Sequence, residues 1–153
     1  MEWTLLTEDD VLSGMTQRER DDFAKTSVGG NVTDRLVPIM SDLVAEIRGY
    51  ISTWIPNTIS ADVAKIPPSF KAKAVAIARW RVLTSIPGYQ PGDARKMEYE
   101  KADSFFLAVA KGTIRPEPAD DAVTTGTPSE TPSGIEVVSA PPKRTGRKKM
   151  NGL

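Results

Sequence analysis

The clearest pattern in the chain is a stripe of apolar residues that recurs every three or four positions between residues 33 and 54. On a helical wheel its members fall within roughly 160° of one another, and polar residues fill the other side. This pattern predicts a long amphipathic helix from about Thr33 to about Trp54, with Pro38 in its first turns, where a proline ring is tolerated. The stripe consists of Leu36, Met40, Leu43, Val44, Ile47, Tyr50, Ile51 and Trp54.

A second helix is predicted from Pro68 or Ser69 to about Ile86, before the Pro-Gly break. Four cations fall one to each quadrant of its wheel, with apolar residues between them. A helix that is apolar nearly all round packs on several sides, so we expect it to be central and to have apolar surface left for subunit packing. The cations can extend their charged heads past the apolar body, and they are Lys71, Lys73, Arg79 and Arg81.

A third long helix is predicted from Ala94 to Lys111, and Gly112 is a favourable residue just past a helix end. Its apolar face is expected to pack against the other two long helices and to complete the core. That face consists of Tyr99, Ala102, Phe105, Phe106, Val109 and Ala110.

Two short helices are predicted before the long ones. Thr7 precedes three acids, which is a helix N-cap followed by charges that match the helix dipole. Thr16 stands three residues before Glu19, which is the pattern of a capping box. The second short helix is mostly charged and offers little apolar contact beyond Phe23, so we expect it at the surface.

Composition divides the chain into two parts. Residues 1–115 are predicted to form an all-α domain, a small bundle of about five helices. Residues 116–153 hold six of the twelve prolines among Thr, Ser, Gly and Ala. Such a segment buries too little apolar surface to offset the entropy of ordering. We therefore expect a long extended or disordered C-terminal arm.

Two segments of this arm are candidate contacts with a partner. An apolar island has the strand-like residues Ile135, Val137 and Val138, which suit addition as a strand to a partner. A basic terminus suits contact with DNA phosphates or with an acidic protein surface. The alternative is a solubilising terminus without a partner. The basic residues are Lys143, Arg144, Arg147, Lys148 and Lys149.

Aromatic residues near the helix ends are a further candidate site. At helical spacing most aromatic residues of this chain are expected in the core. Trp54 and Trp80 lie near helix ends, where tryptophan also suits a subunit interface. With the neighbouring cations Lys73 and Arg81, they form the predicted subunit interface.

The composition excludes several kinds of chemistry. The chain has 153 residues, neither cysteine nor histidine, and a net charge of zero. Cys/His zinc sites, disulfides and nucleophilic triads are therefore excluded. The acids at residues 8–10 and 21–22 match helix positions better than a metal site, so we expect neither an enzyme nor a cofactor or metal. No apolar run suits a membrane span and the start lacks signal-peptide regions, so we expect a cytosol-like compartment.

Taken in order, the helical segments resemble the small head–tail connector proteins of tailed bacteriophages, the Mu-type neck family. The resemblance covers about residues 4–115. Family members often carry an Arg-Tyr pair where Ser52-Thr53-Trp54 stands here, which indicates a divergent branch. The matching pieces are the Thr-Glu-Asp-Asp-Val-Leu helix start, Gly49-Tyr50-Ile51, the Ile66-Pro67-Pro68 entry, Ile77-Ala78-Arg79-Trp80, and the Tyr99 to Ile114 helix with Lys111-Gly112.

The resemblance implies a structural virion protein that is made in the host cytoplasm. It implies a homo-oligomeric ring, usually dodecameric, below the portal protein in the virion neck. Such a ring extends the channel for the genomic DNA and presents a surface to the next tail-side neck or stopper protein. Two alternatives stay open. One is a helical DNA-packaging factor similar to a small terminase subunit, which needs a basic helix-turn-helix face. The other is a scaffold or adaptor unrelated to phage.

Overall fold

The computed structural model describes residues 1–27, 29, 31–53 and 59–123. These residues form five α-helices and four two-residue strands, so the predicted all-α fold class is confirmed. The helices are α1 (Glu8–Leu12), α2 (Gln17–Thr26), α3 (Thr33–Ser52), α4 (Lys71–Thr84, after a 3₁₀ turn at Pro68–Phe70) and α5 (Asp93–Ala110). The strands are β1 (Thr4–Leu5), β2 (Ile59–Ser60), β3 (Lys65–Ile66) and β4 (Ala122–Val123).

The helix ends lie where the local sequence signals put them. The backbone N–H of Glu19 donates to the Thr16 hydroxyl at 3.3 Å, and the Thr16 N–H donates back to the Glu19 carboxylate at 2.7 Å, which confirms the capping box. Thr7 and Asp10 form the same arrangement at the start of α1. After α5, Gly112 adopts a φ of 74°, a conformation that glycine takes without strain.

The core forms around α4, as the all-round apolar pattern predicted. This helix packs against α1, α2, α3 and α5. Six of its apolar side chains are buried inside the domain, whereas Ala76 and Trp80 are only partly buried, so subunit packing through this helix stays a prediction. The buried residues of α4 are Ala74, Val75, Ile77, Ala78, Val82 and Leu83, and those of α3 are Leu36, Met40, Leu43, Val44, Ile47 and Ile51.

The folded part extends past the predicted boundary at residue 115. The indole N–H of Trp3 donates to the backbone carbonyl of Glu117 at 3.0 Å, and Ala119 is buried. Trp3 itself is only 2% exposed, so the N-terminus supplies one of the largest core side chains. The first residues of the predicted arm therefore lie on the domain, and the predicted boundary is too early in the chain.

Two antiparallel strand pairs join the segment between α3 and α4 to the first residues of the chain and to the residues after α5. β1 pairs with β3, with Thr4 opposite Ile66, and β2 pairs with β4, with Ile59 opposite Val123. The sequence indicated only a loop, or a loop with one turn of helix, between these helices. Strands of two residues carry no alternation of apolar and polar positions, so no pattern revealed them.

Candidate interaction surfaces

The cations of α4 are used largely inside the domain. Arg79 donates from Nε to the carbonyl of Val11 at 2.8 Å and from Nη2 to the carbonyl of Asp10 at 2.9 Å, so it satisfies the last turn of α1. Burial holds the pKa of Arg79 below its ordinary value, although a guanidinium stays protonated in proteins. Lys71 forms an ion pair with the Asp10 carboxylate at 2.8 Å. These contacts join α4 to α1 and leave no basic face there.

A second charged cluster joins α5 to the start of α2. Arg95 donates from Nη2 to the Gly14 carbonyl at 2.7 Å and to the Glu19 carboxylate at 3.2 Å. Burial raises the pKa of Glu19, but the hydrogen bonds from Thr16 and Arg95 outweigh burial, so this pKa lies below its usual value of 4.5. General acids and bases work best with a pKa near the operating pH. The cluster therefore suits a structural role better than acid–base catalysis.

Three of the four residues predicted for a subunit interface lie in the described part of the chain. Trp80 is half-buried and stacks on Tyr99, with ring centroids 5.1 Å apart and an interplanar angle of 15°. Arg81 forms an ion pair with Glu46 of α3. Lys73 is half-exposed and has no ion pair among the described residues. Contacts within one chain therefore already engage Trp80 and Arg81, whereas Lys73 remains available to a partner.

The remaining predicted contact residues lie outside the described residues, so their roles stay predictions. They are Trp54 of the predicted interface, and Ile135, Val137, Val138, Lys143, Arg144, Arg147, Lys148 and Lys149 of the predicted arm.

An apolar groove that the sequence did not predict runs along α3. It lies between α3 and the chain that leads from β1 into α1, and residues 63 and 64 also line it; its volume is about 500 Å³. Three large side chains of the groove are well exposed, with Leu5 at 47%, Val37 at 48% and Val63 at 75%. Exposed apolar side chains that share one groove mark an interaction surface. We call it the α3 groove and define it by Leu5, Glu8, Val37, Ser41, Ala45 and Val63.

Charged residues of both signs lie around the α3 groove, because Lys65 pairs with Leu5 and follows Ala64, which lines the groove. Asp34 and Asp42 are exposed on α3 and have no ion-pair partner among the described residues, and Glu8 lines the groove. The basic residues of α3 point elsewhere. Arg35 donates to the hydroxyl of Ser85, just after α4, at 3.2 Å and to its carbonyl at 3.4 Å. Arg48 donates to three backbone carbonyls of the β2–β3 segment, two at 2.9 Å and one at 2.7 Å.

A second exposed surface runs along α5. Met97 is 54% exposed and Leu107 is 44% exposed, and Lys101 and Ser104 lie between them at helical spacing on the same face. Lys101 has no ion pair among the described residues. A shallow hollow of about 340 Å³ lies beside Met97, Glu100, Lys101 and Ser104, so this face carries one acid and one lysine. We call this face the α5 stripe. The sequence reasoning missed it because Met97 and Leu107 fall outside the helix face that was assigned to the core.

The wheel patterns did contain a signal for both surfaces. Val37 stands at the edge of the apolar stripe on the α3 wheel, and Met97 and Leu107 lie outside the apolar face of the α5 wheel. A large apolar residue on a predicted solvent face is typical of a surface that binds another molecule, although single exposed apolar residues are common on proteins. Only the fold shows that these residues gather into two surfaces.

Across residues 1–27, 29, 31–53 and 59–123, no group of three or more Asp and Glu side chains is placed to hold a metal ion. None of the described helices combines the length and the apolar character that crossing a bilayer requires. The two exposed surfaces, apolar with charged surroundings, are therefore the best candidates for function in this part of the chain.

No protein-family model, curated protein or solved structure matches this chain. Function is therefore inferred from the two surfaces and from the resemblance of the helical segments.

Proposed function

We propose that this chain is a structural subunit of a bacteriophage neck. It assembles into a ring below the portal protein, extends the channel for the genomic DNA, joins the head to the tail, and has no enzyme activity. One contrast in the domain carries the proposal: Arg79, Arg95 and Glu19 are held in internal contacts, whereas the α3 groove and the α5 stripe stay exposed. A domain with this distribution suits binding to other protein surfaces.

The two surfaces differ from each other, which supports a ring. The α3 groove and the α5 stripe lie on different helices and share no residue. A two-fold dimer uses the same patch on both subunits, whereas two different patches that fit each other give a head-to-tail contact. Head-to-tail contacts close into a ring when the rotation between subunits permits it.

The arm keeps its proposed role in partner contact. The described chain ends at Val123, in the strand that pairs with β2, and 30 residues of sequence follow. The apolar island Ile135–Val138 supplies β-forming residues, and the terminus Lys143–Lys149 supplies charge for acidic portal side chains or for DNA phosphates. The next protein on the tail side would meet the opposite face of the ring.

A DNA-packaging factor is the less supported alternative. Such a protein needs several free cations on one helix face. On α4, the helix with four cations, only Lys73 lacks an ion-pair or hydrogen-bond partner among the described residues. The scattered and mostly engaged cations of this helix do not form a surface for duplex DNA.

Sedimentation of the full chain tests the proposed function. We expect a concentration-dependent shift from a single chain to a ring of many copies, or a ring that forms when the portal protein of the same virus is added. A chain that stays monomeric under both conditions, at high concentration, would contradict the proposal. Tight and salt-sensitive binding of the monomer to duplex DNA would favour the packaging factor, because counterion release gives such binding its salt dependence.

A further inference from the structure

We propose that the apolar island Ile135–Val138 of the arm covers the α3 groove of its own chain before assembly. The occupant of the groove is thus a segment of the same molecule. The contact itself stands apart from the ring, whereas its effect on assembly rests on the proposed function.

The shape of the α3 groove suits a short extended segment. One of its walls is a face of α3 on which Val37, Ser41 and Ala45 repeat every four residues, over about 12 Å. Met40 and Val44 also line the groove and are only 8% and 6% exposed, so they form its floor. Because Ser41 and Ala45 are small, they leave room for the side chains of an occupant.

The island has the side chains that such a groove would receive. It is the only place in residues 124–153 with three large apolar residues within four positions. In an extended segment Ile135 and Val137 point to one face, about 7 Å apart, and Glu136 and Val138 point to the other. Two β-branched side chains can therefore enter the groove together while the Glu136 carboxylate stays in water.

The place where the described chain ends brings the island within reach of the groove. Val123 stands opposite Ile59 in the β2–β4 pair, and Val63, which lines the groove, is four residues from Ile59. Four residues span at most about 14 Å and paired strands lie about 5 Å apart, so the arm begins within about 20 Å of the groove. The twelve residues from Val123 to Ile135 can span about 40 Å when extended.

The direction of β4 means that the arm must turn back to reach the groove. β4 runs antiparallel to β2, so at Val123 the chain points away from residues 61–64. The sequence between Val123 and the island holds residue types that build turns. They are Gly126, Pro128, Pro132 and Gly134. The arm can therefore reverse its direction and still has enough length to reach the groove.

The tether favours the chain's own island over a second copy. A coil of twelve residues spans about 20 Å on average, which matches the distance to the groove. A short tether of matching length holds its segment at an effective concentration of about 1 mM, so a second copy at a much lower concentration competes poorly. Charge does not select the occupant, because Glu8 and Lys65 lie at the groove with opposite signs.

A covered groove is not free to bind another subunit. The same arm is proposed to contact the portal protein, and that contact would withdraw the island and expose the groove. In the proposed ring, exposure of the groove is therefore linked to the presence of the portal.

Thiol labelling of the full-length chain tests the contact, because the sequence has no cysteine. Val37→Cys places a thiol in the groove, and Leu107→Cys places a thiol on α5, at positions where the original side chains are 48% and 44% exposed. Each substitution is combined with the unaltered arm and with an arm that carries Ile135→Asp and Val137→Asp. The four chains are compared at a concentration where they are monomeric, and circular dichroism checks that they are folded.

We expect the altered arm to raise the labelling rate of Val37→Cys at least about threefold and to leave the rate of Leu107→Cys unchanged. Equal rates of Val37→Cys with both arms would overturn the inference. An increase of the same size at both positions would also overturn it, because the arm would then shield the surface without preferring the groove.

Disulfide formation identifies the molecule that supplies the island. In a chain with Val37→Cys and Val137→Cys, mild oxidation should give mainly a monomer with an internal disulfide. In the control with Leu107→Cys and Val137→Cys, the internal disulfide should form several times more slowly. Covalent dimers as the main product of the first chain would mean that the groove takes the arm of a second copy, and the inference would be wrong.

These outcomes are separate from those that test the proposed ring. If labelling and oxidation give the expected results in a chain that never forms a ring with portal protein, the covered groove stands and the proposed function is wrong. If the chain does form rings but Val37→Cys is labelled equally with both arms, only this inference is overturned.

Discussion

Replacement of Arg79 by methionine is predicted to destabilise the domain strongly. The guanidinium donates to the carbonyls of Asp10 and Val11 at 2.9 and 2.8 Å, and the Ser13 hydroxyl donates to the same Asp10 carbonyl at a longer 3.4 Å. A hydrogen bond to a charged group contributes about 1.5–3 kcal/mol. Burial of the guanidinium, which lowers the Arg79 pKa, offsets part of the gain from the two bonds. We therefore expect a loss of about 2–4 kcal/mol in the free energy of unfolding.

Urea unfolding followed by tryptophan fluorescence measures this loss, with Lys73→Met as the matched control. Both substitutions remove a cation from α4, but Lys73 has no ion pair among the described residues and should change stability by less than about 0.5 kcal/mol. Arg79→Lys keeps the charge but cannot donate to both carbonyls as the guanidinium does, so its stability should lie between those of Arg79→Met and Lys73→Met. Equal stabilities of Arg79→Met and Lys73→Met would refute the view that Arg79 holds α1 to α4.

Three further predictions concern the charged clusters and the chain end. Gly14→Ala should destabilise the domain by about 1–3 kcal/mol, because the new Cβ would clash with the Arg79 guanidinium. In urea unfolding, the loss in the double variant with Arg79→Met should be smaller than the sum of the two single losses. A chain that ends at residue 123 should melt within a few degrees of the full chain. A chain that ends at residue 115 should melt at a lower temperature than both, because it lacks the Glu117 carbonyl that accepts the Trp3 indole N–H. Equal melting temperatures of the two truncated chains would contradict the packing of residues 116–123 on the domain. The pKa of Glu19 is lowered in the folded state, so its ionised form stabilises the fold above the ordinary pKa of 4.5, and this contribution is lost as the pH falls through the lower folded value. Glu19→Gln should therefore flatten the acid limb of the melting-temperature profile, and an unchanged limb would count against this cluster.

The helices were predictable because their signals are local. The stripe of α3 repeats within the helix itself, and the capping pair Thr16 and Glu19 is only three residues apart. The central place of α4 was also predictable, since a helix with apolar residues on every side must be covered on every side. These signals need no knowledge of how the elements pack.

The candidate surfaces and the polar contacts were not predictable in the same way. Arg79 and Arg95 bind backbone carbonyls of residues that are 68 or more positions away in the chain. Every residue has a backbone carbonyl, so the sequence does not show which one accepts the hydrogen bond. The contact of Trp3 with the chain beyond α5 is equally long-range. The α3 groove exists only because β1 and residues 63 and 64 lie beside α3, and this arrangement depends on strand pairs that are too short to leave a pattern.

Electron-microscopy class averages of the full chain mixed with portal protein would show whether this chain forms a ring at the portal. We expect closed rings of one radius, coaxial with the portal channel. If the chain is present in large excess over the portal protein and the images still show only bare portal particles, the proposed ring is wrong.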